Sequence, residues 1–275
     1  MDLNTVSALH RPRTRDEIGP WQAGDAWLAG GTVLFADPNP GLSRLIDLTA
    51  LGWPALALTP DGLDIAATCT LAELEEPLLP PGARIAGLFP ACCAALYGAF
   101  KVRTAATIGG NLCTALAAAP MAALIVALDA RLTLWPAAGG SRQVAAADFI
   151  LGLQRTVLAP GELLRSILVP ACNMDLRWAF RRIALNDLGR SAALLIGTLA
   201  ADGRFALTVT ASTPRPLRLD FPALPDTAAL LAALDAAIPA DGWYDDVHGA
   251  PAWRRAMTQL FAQQIRSELA EGGPA

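Results

Sequence analysis

Two glycine pairs constrain this chain more than any other feature. The first, in Ala29-Gly30-Gly31-Thr32-Val33-Leu34, ends a compact apolar stretch that begins Ala26-Trp27-Leu28; the second, in Thr107-Ile108-Gly109-Gly110-Asn111, follows the polar passage Lys101-Val102-Arg103-Thr104. Successive residues without side chains let main-chain N–H groups converge on an anion, because nothing projects between the backbone and an oxygen atom. Hydrogen bonds to a charged group stabilise by about 1.5–3 kcal/mol each. Two such bends facing each other can therefore hold a diphosphate without Lys or Arg, and Thr32 and Asn111 can add side-chain hydrogen bonds. A Gly-Gly pair at a strand end is more often a plain turn, and with 23 glycines in the chain the pairs gain meaning only from their surroundings. Neither completes the Gly-x-Gly-x-x-Gly turn of a dinucleotide-binding βαβ unit, nor the Gly-Lys-Ser/Thr ending of a P-loop.

The surrounding pattern predicts short strands alternating with short helices as far as about residue 170. Strands are expected at 26–29, 45–48, 62–67, 132–135 and 163–169, and Thr70 with Glu73 has the spacing of a capping box. A helix interrupted near Pro90 is predicted over 84–97, and another opens at Pro120, where the missing N–H costs nothing. Beyond residue 170 the pattern predicts strands at 178–183 and 205–211 flanking an apolar helix over 191–200. An extended proline-rich connection follows at 213–225, then a helix capped by Asp226 or Thr227, and a last helix opened by Pro251. In that last helix Trp253, Met257, Leu260, Phe261, Ile265 and Leu269 share one face.

Composition narrows the function classes. Hydrophobic residues make up 53% and charged residues 17% of the 275 positions, an apolar balance that suggests a buried partner interface. The net charge of −4, with Lys and Arg scattered, excludes an electrostatic footprint for nucleic acid. The longest apolar stretch, 112–128, contains Thr114 and Pro120 and falls short of the roughly 20 residues a membrane span needs, so a buried helix is expected there and no membrane span. The start, Met-Asp-Leu-Asn, lacks the character of an export signal and predicts a cytoplasmic protein. Cys69, Cys92, Cys93, Cys113 and Cys172 form no Cys-x-x-Cys pair and read as reduced core thiols rather than cluster or zinc ligands. His10 and His248 read as surface residues, so no catalytic acid, base or metal ligand is assigned.

In their order and spacing the two glycine signatures resemble those of the FAD subunits of the xanthine dehydrogenase and carbon monoxide dehydrogenase family. The likeness continues through Leu45-Ile46-Asp47-Leu48, Thr70-Leu71-Ala72-Glu73-Leu74-Glu75, Ala127-Leu128-Asp129-Ala130, Leu158-Ala159-Pro160-Gly161-Glu162-Leu163-Leu164 and Phe180-Arg181-Arg182. It implies an α+β fold. A vanillyl-alcohol-oxidase (PCMH)-type FAD-binding domain would span residues 1–172, in subdomains of about 1–55 and 56–172. A smaller α/β domain of the carbon-monoxide-dehydrogenase-flavoprotein type would follow over 173–275.

For the cofactor, the resemblance implies that Trp27, Leu28, Ala29, Gly30, Gly31, Thr32, Val33 and Leu34 wrap the FAD pyrophosphate and that Thr107, Ile108, Gly109, Gly110 and Asn111 close over it. Tyr97 would stand near the adenine and Leu163 beside the flavin ring. Arg181 occupies a position where relatives often carry Lys, which keeps the charge and changes its shape. Two positions depart from the family pattern: Pro120 stands where relatives usually have Asp, and Val33 replaces a polar residue. Neither can accept a hydrogen bond, which implies a weaker hold on FAD or help from a partner.

The implied activity is electron transfer. Electrons would leave a substrate at a molybdenum centre on a molybdopterin-binding large subunit, cross iron–sulfur clusters on a small subunit, and reach FAD here before passing to a terminal acceptor, NAD among the candidates. Two rivals keep the same fold: a scaffold or assembly subunit that has lost FAD, and a self-sufficient flavin oxidase with flavin attached to His or Cys.

Overall fold

The computed structural model describes residues 3–96 and 98–272. Its first sheet is small and parallel, with β1 (Ala8–His10), β2 (Asp25–Leu28) and β3 (Arg44–Asp47) in the order β1-β3-β2. Two carboxylates pin it. Asp25 receives Arg44 through Nε at 2.7 Å and Nη2 at 2.5 Å, and Asp47 receives Arg11 at 3.1 Å while capping the turn at Thr49. The glycine turn after β2 therefore leaves a braced sheet end.

A second, antiparallel sheet follows. β4 (Leu56–Thr59) and β5 (Gly62–Ala66) form a hairpin, and β6 (Arg131–Trp135) and β7 (Arg142–Ala145) another; a separate two-stranded hairpin, β8 (Ile150–Gly152) with β9 (Arg155–Thr156), comes next. β10 (Leu163–Pro170) returns between β5 and β6, giving β4-β5-β10-β6-β7. The register of β10 against β6 shifts between Leu164 and Ser166, a bulge that leaves Arg165 over the Trp53 ring at 4.3 Å and the Trp135 ring at 5.7 Å. Arg15 lies over Trp135 at 4.5 Å, so a stack of cations and indoles joins the N-terminal segment to this sheet.

Helices α1 (Leu71–Leu74), α2 (Leu88–Ala95), α3 (Phe100–Arg103), α4 (Ile108–Thr114), α5 (Pro120–Ala127) and α6 (Ala146–Phe149) fill the space beside it. The capping box at Thr70 and Glu73 forms as expected, with both reciprocal bonds made. The break near Pro90 does not form. A 3-10 turn over Arg84–Gly87 leads directly into α2, and Pro90 sits in the first turn, where its absent N–H is not needed. Every residue of α5 is buried, as befits a helix apolar all round. Among the described residues no helix is long and apolar enough to cross a membrane.

The last sheet is an antiparallel meander, β11 (Arg177–Ile183), β12 (Ala193–Leu199), β13 (Phe205–Thr210) and β14 (Leu217–Phe221). Helices α7 (Thr227–Ala237) and α8 (Pro251–Ala270) cover one face, while α5 packs on β12 and β13 from the other. This overturns the expected helix over 191–200. A strand covered on both faces is apolar at every position, so the run has no alternation to distinguish it from a buried helix. The proline-rich stretch, expected as an extended connection, supplies edge strand β14 after Pro216. Asp226 caps α7 through the Ala229 N–H at 2.8 Å, and Pro251 opens α8, both as expected. The buried face of α8 is rotated from the expected one: it carries Arg254 and Thr258 with Phe261, Ile265 and Leu269, whereas Leu260 is exposed.

Candidate cofactor site

The first glycine turn leaves the C-terminal end of β2 and reverses at once. Phe35 N–H donates to Gly31 O at 2.9 Å and Ala36 N–H to Val33 O at 3.0 Å, while Asn39 Nδ2 donates to Leu34 O at 3.1 Å from outside. Between these bonds lies a run of main-chain donors. Among the described residues, no acceptor takes the N–H of Ala29, Gly30, Gly31, Thr32, Val33 or Leu34. Six consecutive free amides on a turn with Gly31 at φ +68° make a nest for an anion.

The two turns meet. A Cβ on Gly30 would land inside the Ala105 carbonyl oxygen, two residues before Thr107, so the glycine is required by the close approach of two backbones. On the far side, the Trp27 indole N–H donates to Glu162 O at 3.2 Å, which brings the turn to the start of β10 and its buried Leu163. Gly109 is equally constrained: a Cβ there would come within 2.5 Å of Ala67 O.

The second turn plays a different part from the first. Ile108 N–H donates to Cys69 O at 2.9 Å, Gly109 N–H to Ala67 O at 3.0 Å, Gly110 N–H to Thr107 Oγ1 at 3.0 Å and Asn111 N–H to Thr107 O at 3.0 Å. All four donors are committed within the protein. The Asn111 side chain accepts the Met121 N–H at 3.3 Å and so caps α5 behind the buried Pro120. The second turn supplies a rigid wall with an exposed Gly110, and the first supplies the donors.

Of the other anticipated residues, Arg181 is turned elsewhere. Its guanidinium binds Glu268 Oε2 at 2.5 Å, Gln264 Oε1 at 3.2 Å and Phe180 O at 2.9 Å, so its charge is spent against α8. Tyr97 lies outside the described residues. His10 Nε2–H donates to Glu17 O at 2.6 Å. Burial pushes the Cys69 and Cys93 thiols up to about 12, which keeps them protonated and unreactive.

One supporting group was not singled out from the sequence. Glu162 accepts Arg142 through Nε at 2.7 Å and Nη2 at 2.8 Å, and the Ala159 N–H at 3.0 Å, while its own carbonyl holds Trp27. An acidic residue after Pro-Gly at the mouth of an apolar strand was the available signal. The Arg142 guanidinium holds the Glu162 carboxyl below its ordinary value, against the effect of burial. A depressed folded-state value means that the stabilisation is complete above the ordinary 4.5 and is lost as pH falls through the folded-state value below it. Arg142 is 41% exposed, which limits the pair to about 1 kcal/mol. Glu162→Gln is expected to lower the melting temperature by roughly 2–4 °C at pH 7, and to flatten its decline between neutral pH and pH 3; equal slopes for variant and parent would refute the assignment.

A family model for the FAD-binding domain in molybdopterin dehydrogenase matches residues 9–172. The caffeine dehydrogenase subunit beta of Pseudomonas sp. is 35% identical over 100 residues, 35% of this chain and 34% of that one. The carbon monoxide dehydrogenase medium chain of Afipia carboxidovorans is 30% identical over 152 residues, 50% of this chain and 52% of that one. The chain thus spans between a third and about half the length of these relatives. In structure, quinoline 2-oxidoreductase from Pseudomonas putida 86 superposes over 99% of both chains with a TM-score of 0.78 at 23% identity, a likeness of fold. The α+β architecture anticipated from the sequence is the fold found.

Proposed function

The chain belongs to the family of FAD-binding domains in molybdopterin dehydrogenases, and from that premise we propose that it is the FAD-carrying electron-transfer subunit of a multi-subunit molybdenum hydroxylase. The observation that carries the reading is the run of six free amides from Ala29 to Leu34, set beside Ala105 and Glu162. Such a run fits a diphosphate that brings its own charge and needs no Lys or Arg. When bound, FAD supplies the redox chemistry, and the protein binds, orients and tunes it.

The chain's own residues divide that work. The amides of the first turn hold the diphosphate. The Thr107 turn and the buried α5 behind it keep the opposite wall fixed, and the Trp27–Glu162 bond sets the distance to Leu163, beside which the flavin ring is assigned. Residues 1–172 are taken as the FAD-binding domain, in subdomains of about 1–55 and 56–172, and 173–275 as the C-terminal domain. Among the described residues no three His, Cys, Asp or Glu are grouped to hold a metal. Iron–sulfur clusters and molybdenum are therefore assigned to a small and a large partner subunit, with NAD as the first acceptor to test.

The deciding experiment is purification of the chain with its native partners, followed by visible spectroscopy and metal analysis. FAD in near-stoichiometric amount together with molybdenum and iron supports the reading, and a colourless, metal-free preparation refutes it. Denaturing the loaded chain is expected to release all flavin into solution, since the proposed hold is through main-chain N–H groups of the first turn and no covalent bond. Flavin that stays with the unfolded polypeptide would favour a self-sufficient oxidase instead.

A further inference from the structure

The first glycine turn carries a ring that the diphosphate reading does not use. Phe35 closes the turn through its N–H on Gly31 O at 2.9 Å, and its side chain folds back so that a Cβ on Gly31 would land inside the ring, with Leu28 Cδ1 3.3 Å from the same point. Leu28, Gly31 and Phe35 thus form an apolar shelf on the turn that offers the free amides. The shelf is open, with Phe35 43% exposed and the adjoining Val33 53% exposed. An aromatic ring left in water beside an anion nest matches a ligand in which a charged linker is joined to a flat heterocycle.

We propose that Phe35 is the platform on which the adenine of the dinucleotide rests, so that this turn selects a dinucleotide over a mononucleotide. The inference rests on the FAD reading. Direction along the turn decides which end of the ligand it meets. Trp27, at the near end of the amide run, is tied to Glu162 and so to the Leu163 side assigned to the flavin ring. Phe35 closes the far end, which leaves the adenosine half for its ring. Leu28 supports the shelf from beneath, and Gly31 is needed because any side chain there would displace the ring.

The test compares the full-length apo chain with Phe35→Ala, Phe35→Leu and Phe35→Trp, titrating FAD, ADP and FMN by calorimetry. Loss of one base–aromatic stack corresponds to about tenfold in affinity. Phe35→Ala is expected to weaken FAD and ADP by that same factor and to leave FMN unchanged. Phe35→Leu keeps apolar bulk without a flat ring, and should fold as the parent and still lose affinity for ADP; Phe35→Trp should retain it. Unchanged ADP binding in Phe35→Leu, or equal losses for FMN and ADP in Phe35→Ala, would overturn the assignment and leave the ring a packing element of the turn. Failure of the parent chain to bind FAD at all would instead overturn the reading on which it rests.

Discussion

Gly30→Ala is expected to remove the flavin while leaving most of the chain folded. The added methyl group meets the carbonyl oxygen of Ala105, and a backbone carbonyl in the turn after α3 cannot rotate away as a flexible side chain would. Either the 29–34 turn lifts or α3 shifts, and both separate the donor turn from the wall built by Thr107. Overpacking of this kind costs about 1–3 kcal/mol, which corresponds to a loss of roughly 5- to 150-fold in FAD affinity if it falls on the bound state. The hydrophobic cluster of β11–β13 with α7 and α8 touches neither turn, so cooperative unfolding of that part should persist. Gly52→Ala is the control. Gly52 has a positive φ, +62°, and nothing lies within 4 Å of its Cβ position, so alanine there should cost about 1 kcal/mol of stability and no flavin. Equal FAD affinity in Gly30→Ala and the parent would mean that contact between the turns has no part in binding.

How far the sequence reveals such a site depends on how local its determinants are. The Thr70–Glu73 capping box, Pro120 at the head of α5 and Asp226 at the head of α7 were legible because each involves partners three or fewer residues apart. The glycine pairs were legible as turns for the same reason. Which of them offers donors was not, because two of the four donors of the second are taken by Ala67 and Cys69, some forty residues upstream. Arg181 was placed by resemblance, yet its partner Glu268 is 87 positions away. The run 191–200 was misread because burial on two faces erases the period that separates strand from helix. Glu162 was legible as part of a motif and not as the anchor of Trp27, since that bond crosses 135 residues.

Arg254→Met is expected to be the most destabilising single substitution in the C-terminal part of the chain. A helical-wheel reading puts Arg254 beside the apolar face of α8, yet it is 1% exposed. Its Nε donates to Gly249 O at 2.8 Å, Nη1 to Ala192 O at 2.9 Å and also to Ala211 O, and Nη2 pairs with Asp246. Burial pulls its pKa below the ordinary arginine value, and Asp246 opposes that shift. One side chain thus joins the loop before α8 to the ends of β12 and β13. Methionine fills a similar volume and makes none of these bonds, leaving three carbonyls and a carboxylate without their donor. Breaking a buried pair in this way costs about 3–5 kcal/mol, or roughly 6–20 °C in melting temperature for a chain of this size. Lysine keeps the charge but has one donor centre in place of a planar fork, so Arg254→Lys should recover less than half of that loss. The effect should reach the cofactor only weakly. Ala211 N–H does donate to Ala117 O at 2.9 Å just ahead of α5, but neither glycine turn bonds to Arg254. Stability and FAD affinity should therefore separate in opposite senses in the two variants: Gly30→Ala loses flavin at modest cost in melting temperature, and Arg254→Met loses melting temperature with little change in affinity below its transition. A shift of less than about 3 °C in Arg254→Met would show that desolvating the guanidinium offsets all its bonds.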